Sequence, residues 1–253
     1  MNTATTWYPA PRYLLRKLLI KKYFKNKNVT NRSILEIGYG AGDMLKYYSS
    51  IGFNVYGYDF SELAYSTALE TIRGSSTIHL LKNESTISSL QYDYLSACEV
   101  LEHIKDDTST LEHWHDLLAD NGILILSVPS RMKKWCANDD WAGHIRRYEK
   151  NELKDKLSSN GFRVIHFWSY PFPANLILDK LINKGKSTLI KLQKENNMDE
   201  ISATKESGIK RDTNKLYRVL SNEYFLYPAH LIQQLFLKTD LGSGYIVFAQ
   251  KVS

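Results

Sequence analysis

The fold is decided by the stretch Ile34-Leu35-Glu36-Ile37-Gly38-Tyr39-Gly40-Ala41-Gly42-Asp43. An apolar run enters a turn with three alternating glycines, and a helical pattern follows the turn. This order predicts a strand, a glycine-rich turn and a helix. Such a turn lets a ligand lie against bare backbone near a helix N-terminus, where N–H groups point outward.

A second signal is Asp59, which ends the next apolar run, Val55-Tyr56-Gly57-Tyr58. An acidic side chain at the tip of the second strand is where the hydroxyl pair of a ribose is usually held. The glycine turn and Asp59 together predict a cofactor that contains a nucleoside.

The glycine pattern differs from the dinucleotide fingerprint G-x-G-x-x-G. The third glycine comes one position early, and Asp43 stands where the fingerprint has glycine. Glu36 and Asp43 are poor neighbours for a pyrophosphate but good ones for a ligand with a cationic sulfonium and an ammonium group. The residues therefore favour S-adenosylmethionine (SAM) over a dinucleotide such as NAD.

The turn resembles the first motif of the class I SAM-dependent methyltransferases, E/D-x-G-x-G-x-G, which Glu36 to Gly42 match at every fixed position. The resemblance implies SAM as cofactor and S-adenosylhomocysteine as product. It implies that Gly38, Gly40 and Gly42 hold the methionine part of SAM and that Asp59 holds the ribose. The remaining expected cofactor contacts are Arg12, Glu36, Phe60, Asn83, Glu84, Cys98 and Glu99.

Two later segments carry the candidate catalytic residues. The segment Ala97–Ile104 resembles E-x-L-E-H-[IV] of the group that includes ubiquinone-biosynthesis O-methyltransferases, and Gly143–Tyr148 resembles their G-H-x-R-x-Y segment. His144 is the leading candidate for a general base because imidazole titrates near neutrality, and His103 is the second candidate. A purely structural role in pinning the loop remains open for His144.

The same segment contains the substrate candidates, Arg146, Arg147 and Tyr148. The arginines would hold an anionic acceptor, or else form ion pairs at the surface. Asp139, Asp140 and His144 lack a spacing specific to a metal site, so no metal is expected.

The order of apolar runs and helical patterns predicts an α/β fold with a doubly wound parallel sheet. The resemblance implies a Rossmann-like sheet of seven strands whose last strand is antiparallel. Asp107 is expected to cap a helix that ends at Asn121-Gly122, and proline is expected to open a helix at Pro228–Leu237. The predicted strands are Ser33–Ile37, Asn54–Asp59, Ile78–Leu81, Tyr92–Cys98, 123–128, Phe162–Trp168 and Tyr245–Lys251.

Four regions follow from this pattern: an N-terminal amphipathic helical segment (1–30), a SAM-binding core (31–169), a helical insertion (170–243) and the last strand (244–253). We interpret the basic helix within 7–26 as packed on the core or covering the site, in preference to a membrane surface. The insertion is interpreted as a substrate lid, with a dimerisation arm or a surface elaboration as the alternatives. Within it, Ala174–Gln193 has a helical stripe and Glu195–Asn214 is polar.

Composition narrows the choice of partners. A net charge of +6 and a pI near 9.0 allow an anionic substrate or peripheral membrane contact, but are too mild to indicate nucleic acid. The two cysteines, the lack of a secretory signal and the lack of a long apolar run favour the cytoplasm. The expected activity is methyl transfer to a hydroxyl of a small molecule. The alternatives are an amine acceptor, a lipid-linked acceptor at a membrane, or a non-catalytic SAM-binding subunit, and the oligomeric state stays open.

Overall fold

The computed structural model describes residues 7–180 and 221–252. Seven strands form its centre; six of them begin and end within two residues of their predicted positions, and the fifth begins at Leu118 instead of 123. They are β1 (Ser33–Ile37), β2 (Asn54–Tyr58), β3 (Ile78–Leu81), β4 (Tyr92–Cys98), β5 (Leu118–Pro129), β6 (Phe162–Tyr170) and β7 (Gly244–Lys251).

The strands form one sheet with the order β3-β2-β1-β4-β5-β7-β6. The first five strands in that order pair in parallel, and β7 pairs antiparallel with both β5 and β6. The expected doubly wound sheet with an antiparallel last strand is therefore confirmed. The strand order reverses at β1, between β2 and β4, which is where open α/β sheets bind ligands at the carboxyl ends of their strands.

Helices cover both faces of this sheet. Short 3₁₀ turns lie at Leu101–His103, Met132–Lys134 and Gln234–Phe236, and residues 175–180 are helical. The α-helices are α1 (Pro11–Phe24), α2 (Asp43–Ser50), α3 (Glu62–Thr71), α4 (Glu84–Ser88), α5 (Asp107–Leu117), α6 (Ala137–Ala142), α7 (Lys150–Ser159) and α8 (Glu223–Gln233).

Alternation along the strands separates two hydrophobic cores. Ile34 points into a core shared with α1, α2 and α3, whereas Leu35 points into the opposite core with α5 and α7. Successive side chains of a strand face opposite sides of a sheet, so a strand covered on both faces is apolar throughout. Ile34 and Leu35 are accordingly both fully buried.

Two helix starts follow their local sequence. Ser61 caps α3 as predicted, since its hydroxyl accepts the N–H of Ala64 at 3.3 Å. The cap of α5 is Asp106, whose Oδ1 accepts the N–H of Ser109 at 3.0 Å, so the prediction of Asp107 is wrong by one residue. Asp107 instead lies in the first turn and is buried.

The end of α5 also differs from the prediction. The helix ends at Leu117 and β5 begins at once, because Leu118 already pairs with Tyr92. The pairing then skips to Tyr94 and Ile123, so residues 119–122 bulge out of the strand. Asn121, at φ 60°, serves this bulge and does not end a helix.

The prediction that proline opens a helix at Pro228–Leu237 is wrong. α8 begins earlier, at Glu223, where the Asn222 side chain accepts the N–H of Tyr224 at 2.9 Å. Pro228 lies inside the helix, and a 3₁₀ turn follows α8 at Gln234. Most of the helical stripe 174–193 and the polar stretch 195–214 lie outside the described residues.

α1 is packed on the core, as the preferred interpretation requires, but its basic face is not solvated. Leu15 and Leu19 are fully buried, and Arg16 and Lys17 are each only 8% exposed. These two cations face carboxylates inside the protein, a pairing that the sequence pattern did not indicate. In the part of the chain that the structure describes, every helix is too short or too polar to cross a bilayer.

Candidate active site

The glycine turn connects β1 to α2 at the carboxyl edge of the sheet. Gly38 has φ +73°, and a Cβ there would come within 2.6 Å of Val100 Cγ2, so both conformation and space require glycine. Gly40 has φ +54°, and a Cβ at this position would have no heavy atom of the described residues within 4 Å. The turn is therefore open at Gly40, which leaves backbone accessible to a ligand.

Asp59 lies beside this turn at the end of β2. Its Oδ2 accepts the N–H of Gly40 at 2.9 Å, and its Oδ1 accepts the N–H of Ser61 at 2.9 Å. Burial raises the pKa of Asp59, and these two N–H groups oppose the rise. Because each carboxylate oxygen can accept a further hydrogen bond, Asp59 keeps the capacity to bind two hydroxyls.

Glu36 lies near the end of β1 below the turn and is only 3% exposed. Its Oε2 has no hydrogen-bond partner among the described residues, and burial raises the pKa of the carboxyl well above its usual range. A buried oxygen without a partner is costly unless a ligand supplies a donor. The position of this carboxyl, next to the glycine turn, suits the ammonium group of a bound amino acid moiety.

Three cations of α1 reach the same edge of the sheet. Lys17 Nζ lies 2.7 Å from Asp43 Oδ2, and Arg12 and Arg16 lie 3.4 and 3.3 Å from the two carboxylate oxygens of Glu99. Arg12 Nε is buried and has no partner within the described part of the chain, so this guanidinium keeps one donor for an anion such as a carboxylate.

Glu99 lies at the centre of this group of charged side chains. It follows β4 in a left-handed conformation with φ 58°, and its Oε1 accepts hydrogen bonds from the hydroxyls of Ser127 at 2.7 Å and Tyr170 at 3.3 Å. Burial alone would raise its pKa, but Arg12 and Arg16 hold the pKa of Glu99 at about 2. Non-glycine residues with such backbone conformations cluster at functional sites.

The two histidines of the sequence prediction meet here. The rings of His103 and His144 are 4.8 Å apart in an edge-on arrangement, and His144 Nε2 lies 3.7 Å from Glu102 Oε1. Both oxygens of Glu102 are buried without a hydrogen-bond partner in residues 7–180 and 221–252. Burial and the neighbouring His144 lower the pKa of His103 to about 4, which makes it a weak base and leaves His144 as the better candidate.

The substrate candidates after His144 are already paired within the protein. Arg147 donates to both oxygens of Asp139 at 2.8 Å, and Arg146 lies 2.7 Å from Asp107 Oδ2. Tyr148 is fully buried, and its hydroxyl donates to Asp107 at 2.8 Å. These contacts give each of the three residues a partner within the loop, and their predicted role in binding an acceptor stays a prediction.

The remaining cofactor candidates lie at the carboxyl edge on both sides of β1. Phe60 follows Asp59 and is 54% exposed, as an aromatic ring that covers a ligand would be. Asn83 and Glu84 follow β3 at the start of α4. Cys98 ends β4, and burial raises the pKa of its thiol to about 11, so it is a neutral wall residue.

The described residues contain one group of three side chains of the metal-ligating type, Glu102, His103 and His144, with ligand atoms within 4.8 Å of one another. Ligands at about 2.1 Å from one ion lie at most about 4.2 Å apart, so the group would have to contract to bind one. In the trio considered from sequence, Asp139 is occupied by Arg147, and Asp140 accepts the indole N–H of Trp135 at 3.0 Å.

Several residues of the site were not predicted from the sequence. Arg16 and Lys17 belong to the predicted basic helix, but nothing in their spacing indicates that they point inward. Tyr170 and Ser127 lie more than 40 residues apart in the chain, and only the sheet brings them to Glu99. Glu102, in contrast, could be identified from the sequence, because it is the second acid of the E-x-L-E-H segment.

This edge of the sheet fits SAM. The open turn at Gly40 matches the backbone of its methionine part, and the free capacity of Asp59 matches its ribose. The unpaired oxygen of Glu36 matches its ammonium group, and the unpaired Nε of Arg12 matches its carboxylate. A family model described as a methyltransferase domain matches residues 10–167. The chain therefore belongs to this methyltransferase-domain family.

The chain is also similar to curated enzymes that share one name. The chain is 26% identical over 145 residues to a ubiquinone biosynthesis O-methyltransferase of Actinobacillus pleuropneumoniae, a match covering 52% of this chain and 62% of the relative. It is 29% identical over 133 residues to the Rickettsia typhi enzyme of the same name, covering 48% and 49%. The chain thus spans about half to three fifths of the relatives' length.

Solved structures share the fold at low identity. A SAM-dependent methyltransferase from Mesorhizobium loti aligns with a TM-score of 0.56 at 14% identity, covering 96% of this chain and 98% of that one. The CurJ carbon methyltransferase aligns with a TM-score of 0.54 at 15% identity, covering 95% and 54%. At these identities the likeness concerns the fold alone.

Proposed function

We propose that the chain is a SAM-dependent methyltransferase, that it acts on a hydroxyl group of a small-molecule acceptor and that His144 is the general base. The observation that carries the proposal is the position of His144, whose Nε2 lies 3.7 Å from Glu102 Oε1 and whose ring lies 4.8 Å from that of His103, in the segment that follows β4 at the carboxyl edge of the sheet. The names of the curated relatives support an oxygen acceptor.

The binding residues have separate roles in this proposal. Gly38, Gly40 and Gly42 present backbone to the methionine part of SAM, Asp59 binds the ribose hydroxyls, and Glu36 and Arg12 bind the ammonium and the carboxylate. When bound, SAM supplies an electrophilic methyl group on a sulfonium. Precise placement of the acceptor beside that group contributes up to about 7–11 kcal/mol to the lowering of the barrier.

The role of His144 is to remove a proton. A phenolic hydroxyl has a pKa near 10 and is a poor nucleophile while protonated. Proton transfer to a positioned imidazole contributes roughly 10²–10⁴-fold to the rate of such reactions. An amine acceptor, by contrast, needs only to be neutral and in line, so dependence on His144 distinguishes the two acceptor classes.

We further propose that the helical segment within 1–30 and the insertion 170–243 cover the acceptor. The described ends of the insertion pack against α1, because Leu178 and Leu226 share a small apolar cluster with Leu14 and Leu15. The free thiols Cys98 and Cys136 suit a reducing compartment such as the cytoplasm.

The test is transfer of a labelled methyl group from SAM to a panel of small phenols, alcohols and amines. His144→Ala should lower turnover of the phenols by about 10²-fold or more while SAM affinity, measured by isothermal titration, is retained. His113→Ala, on the exposed side of α5, is the matched control. Unchanged turnover in His144→Ala would contradict a base, and methylation of amines alone would contradict an oxygen acceptor.

A further inference from the structure

Asp139 is a fully buried acid whose side chain takes no part in the proposed chemistry as described so far. It lies in α6, and its side chain is 0% exposed. Its carboxylate accepts four hydrogen bonds: Oδ1 from His144 Nδ1 and Arg147 Nε, and Oδ2 from Arg147 Nη2 and the backbone N–H of Cys136, all at 2.8 Å. Every lone pair of this carboxylate is therefore in use.

We propose that Asp139, clamped by Arg147, is the positioning residue that makes His144 a base at Nε2. The inference deepens the proposed function and rests on it. An ionised carboxylate can only accept, so the proton on the imidazole resides at Nδ1 and the free electron pair resides at Nε2. When the acceptor hydroxyl gives its proton to Nε2, the carboxylate 2.8 Å from Nδ1 stabilises the imidazolium that forms.

Arg147 is what keeps this carboxylate ionised in a buried place. Burial alone would raise its pKa, but the hydrogen bonds from His144 and Arg147 hold the pKa of Asp139 well below its usual range. The guanidinium also fixes the carboxylate plane through its two parallel N–H groups, an arrangement that carries geometric specificity. A third contact, from Arg147 Nη1 to the carbonyl of Ser130 at 3.2 Å, ties the clamp to the end of β5.

The backbone brings the base to the rest of the site. The N–H of His144 donates to the carbonyl of Asp139 at 3.0 Å, and the N–H of Ile145 donates to the carbonyl of Glu102 at 3.1 Å. The pattern D-x4-H-x2-R therefore forms one compact unit, which is attached to the E-x-L-E-H segment. This attachment directs Nε2 of His144 toward Glu102, on the side opposite Asp139.

The charged and titratable groups that face His144 come from three places. Asp139 and Arg147 lie on the Nδ1 side, Glu102 lies on the Nε2 side, the His103 ring lies edge-on at 4.8 Å, and Glu99 adds a carboxylate from the end of β4. Asp139 is closer to the ring than Glu102 is, at 2.8 Å against 3.7 Å. Removal of its charge should therefore affect the basicity of His144 more than removal of the Glu102 carboxyl.

The first test needs no variant. Nitrogen-15 NMR of the histidine rings in the protein without SAM should assign the proton of neutral His144 to Nδ1. His144→Gln identifies the signal by its loss. A proton found on Nε2 would overturn the proposal, whether or not the enzyme uses a general base.

The second test is Asp139→Asn, with Asp140→Asn as the matched control one residue further on. We expect Asp139→Asn to lower kcat by about 10²-fold and to move the acid limb of the pH–rate profile to lower pH, because an amide does not stabilise the imidazolium. The change should also alter the His144 signals, whereas Asp140→Asn should alter neither. A loss of thermal stability with an unchanged pH profile and unchanged ring signals would overturn the proposal and mark Asp139 as structural.

The outcomes also separate this inference from the proposed function. If His144→Ala retains turnover while the proton is on Nδ1, the general base is wrong and the orientation by Asp139 is right. If chelation by EDTA abolishes turnover and addition of a divalent ion restores it, the reaction depends on a metal ion, and the proposal that Nε2 serves as a base without one is overturned.

Discussion

At the scale of single residues, Asp59 shows how one carboxylate joins fold and function. It holds the glycine turn through the N–H of Gly40 and the start of α3 through the N–H of Ser61. The same carboxylate lies at the carboxyl edge of the sheet, where the ribose is expected. Its position explains why an acid at the tip of β2 is an informative signal in the sequence.

Asp59→Ala should weaken SAM binding by at least about 100-fold, because two hydrogen bonds to a charged group are lost at about 1.5–3 kcal/mol each. Isothermal titration with SAM and S-adenosylhomocysteine measures the effect. Asp120→Ala, an exposed acid in the bulge of β5, should leave both affinities unchanged. Equal affinity in native protein and Asp59→Ala would remove the ribose contact from the mechanism.

At the scale of elements, α1 links the cofactor turn to the insertion. Lys17 Nζ lies 2.7 Å from Asp43 at the start of α2 and 3.0 Å from Glu223 at the start of α8. Lys21 forms a second ion pair with Glu223. The buried ammonium of Lys17 thus pairs with Asp43, which follows the turn expected to bind SAM, and with Glu223, which begins the helix in the last part of the insertion.

Glu223→Gln should loosen α8 without unfolding the sheet. The change removes the negative charge that Lys17 and Lys21 share, and we expect it to cost about 1–3 kcal/mol, between the values for exposed and buried pairs. Hydrogen–deuterium exchange should become faster in Glu223–Gln233. Glu112→Gln, an exposed acid on α5, should leave exchange in α8 unchanged. Unaltered exchange in both variants would mean that apolar packing alone holds α8.

At the scale of the whole molecule, two histidines whose pKa is lowered by burial predict that the free energy of unfolding decreases in acid. Burial, with His144 as a further cause, lowers the pKa of His103 to about 4, and burial together with Lys22 lowers the pKa of His230 to about 4. An unfolded histidine titrates near 6.5. The unfolded chain therefore binds more protons below pH 6.5, and stability is lost as the pH falls from about 6.5 to 4.

Thermal unfolding measured between pH 7.5 and 4.5 checks whether stability decreases as the pH falls. The melting temperature should fall with pH by about 2–4 °C for each kcal/mol lost in a chain of this size. His230→Gln should flatten the fall, and His113→Gln, which is exposed, should leave it unchanged. A melting temperature that rises toward pH 4.5 would contradict the prediction.

The resemblance to class I SAM-dependent methyltransferases implied the sheet with its antiparallel last strand, whereas the sequence by itself determined the glycine turn and the succession of strands along the chain. Local patterns set these features: apolar runs define buried strands, glycines define the turn, and a terminal acid marks the expected ribose position. Where a boundary was wrong, as at Asn121 and Pro228, the local residues suit both a helix end and another role. Asn121 also suits a bulge, and proline is tolerated inside α8 when tertiary packing holds the helix.

Only the tertiary structure decided which side chains meet. Arg12 and Arg16 reach Glu99 from a helix that is more than 80 residues away in the chain, and Tyr170 reaches it from the end of β6. No periodicity encodes such contacts, because they depend on how α1 docks across the sheet. The pairing of Arg147 with Asp139 was likewise decided by the fold of its loop, because nothing in the spacing of the two residues indicates that both N–H groups of the arginine reach one carboxylate.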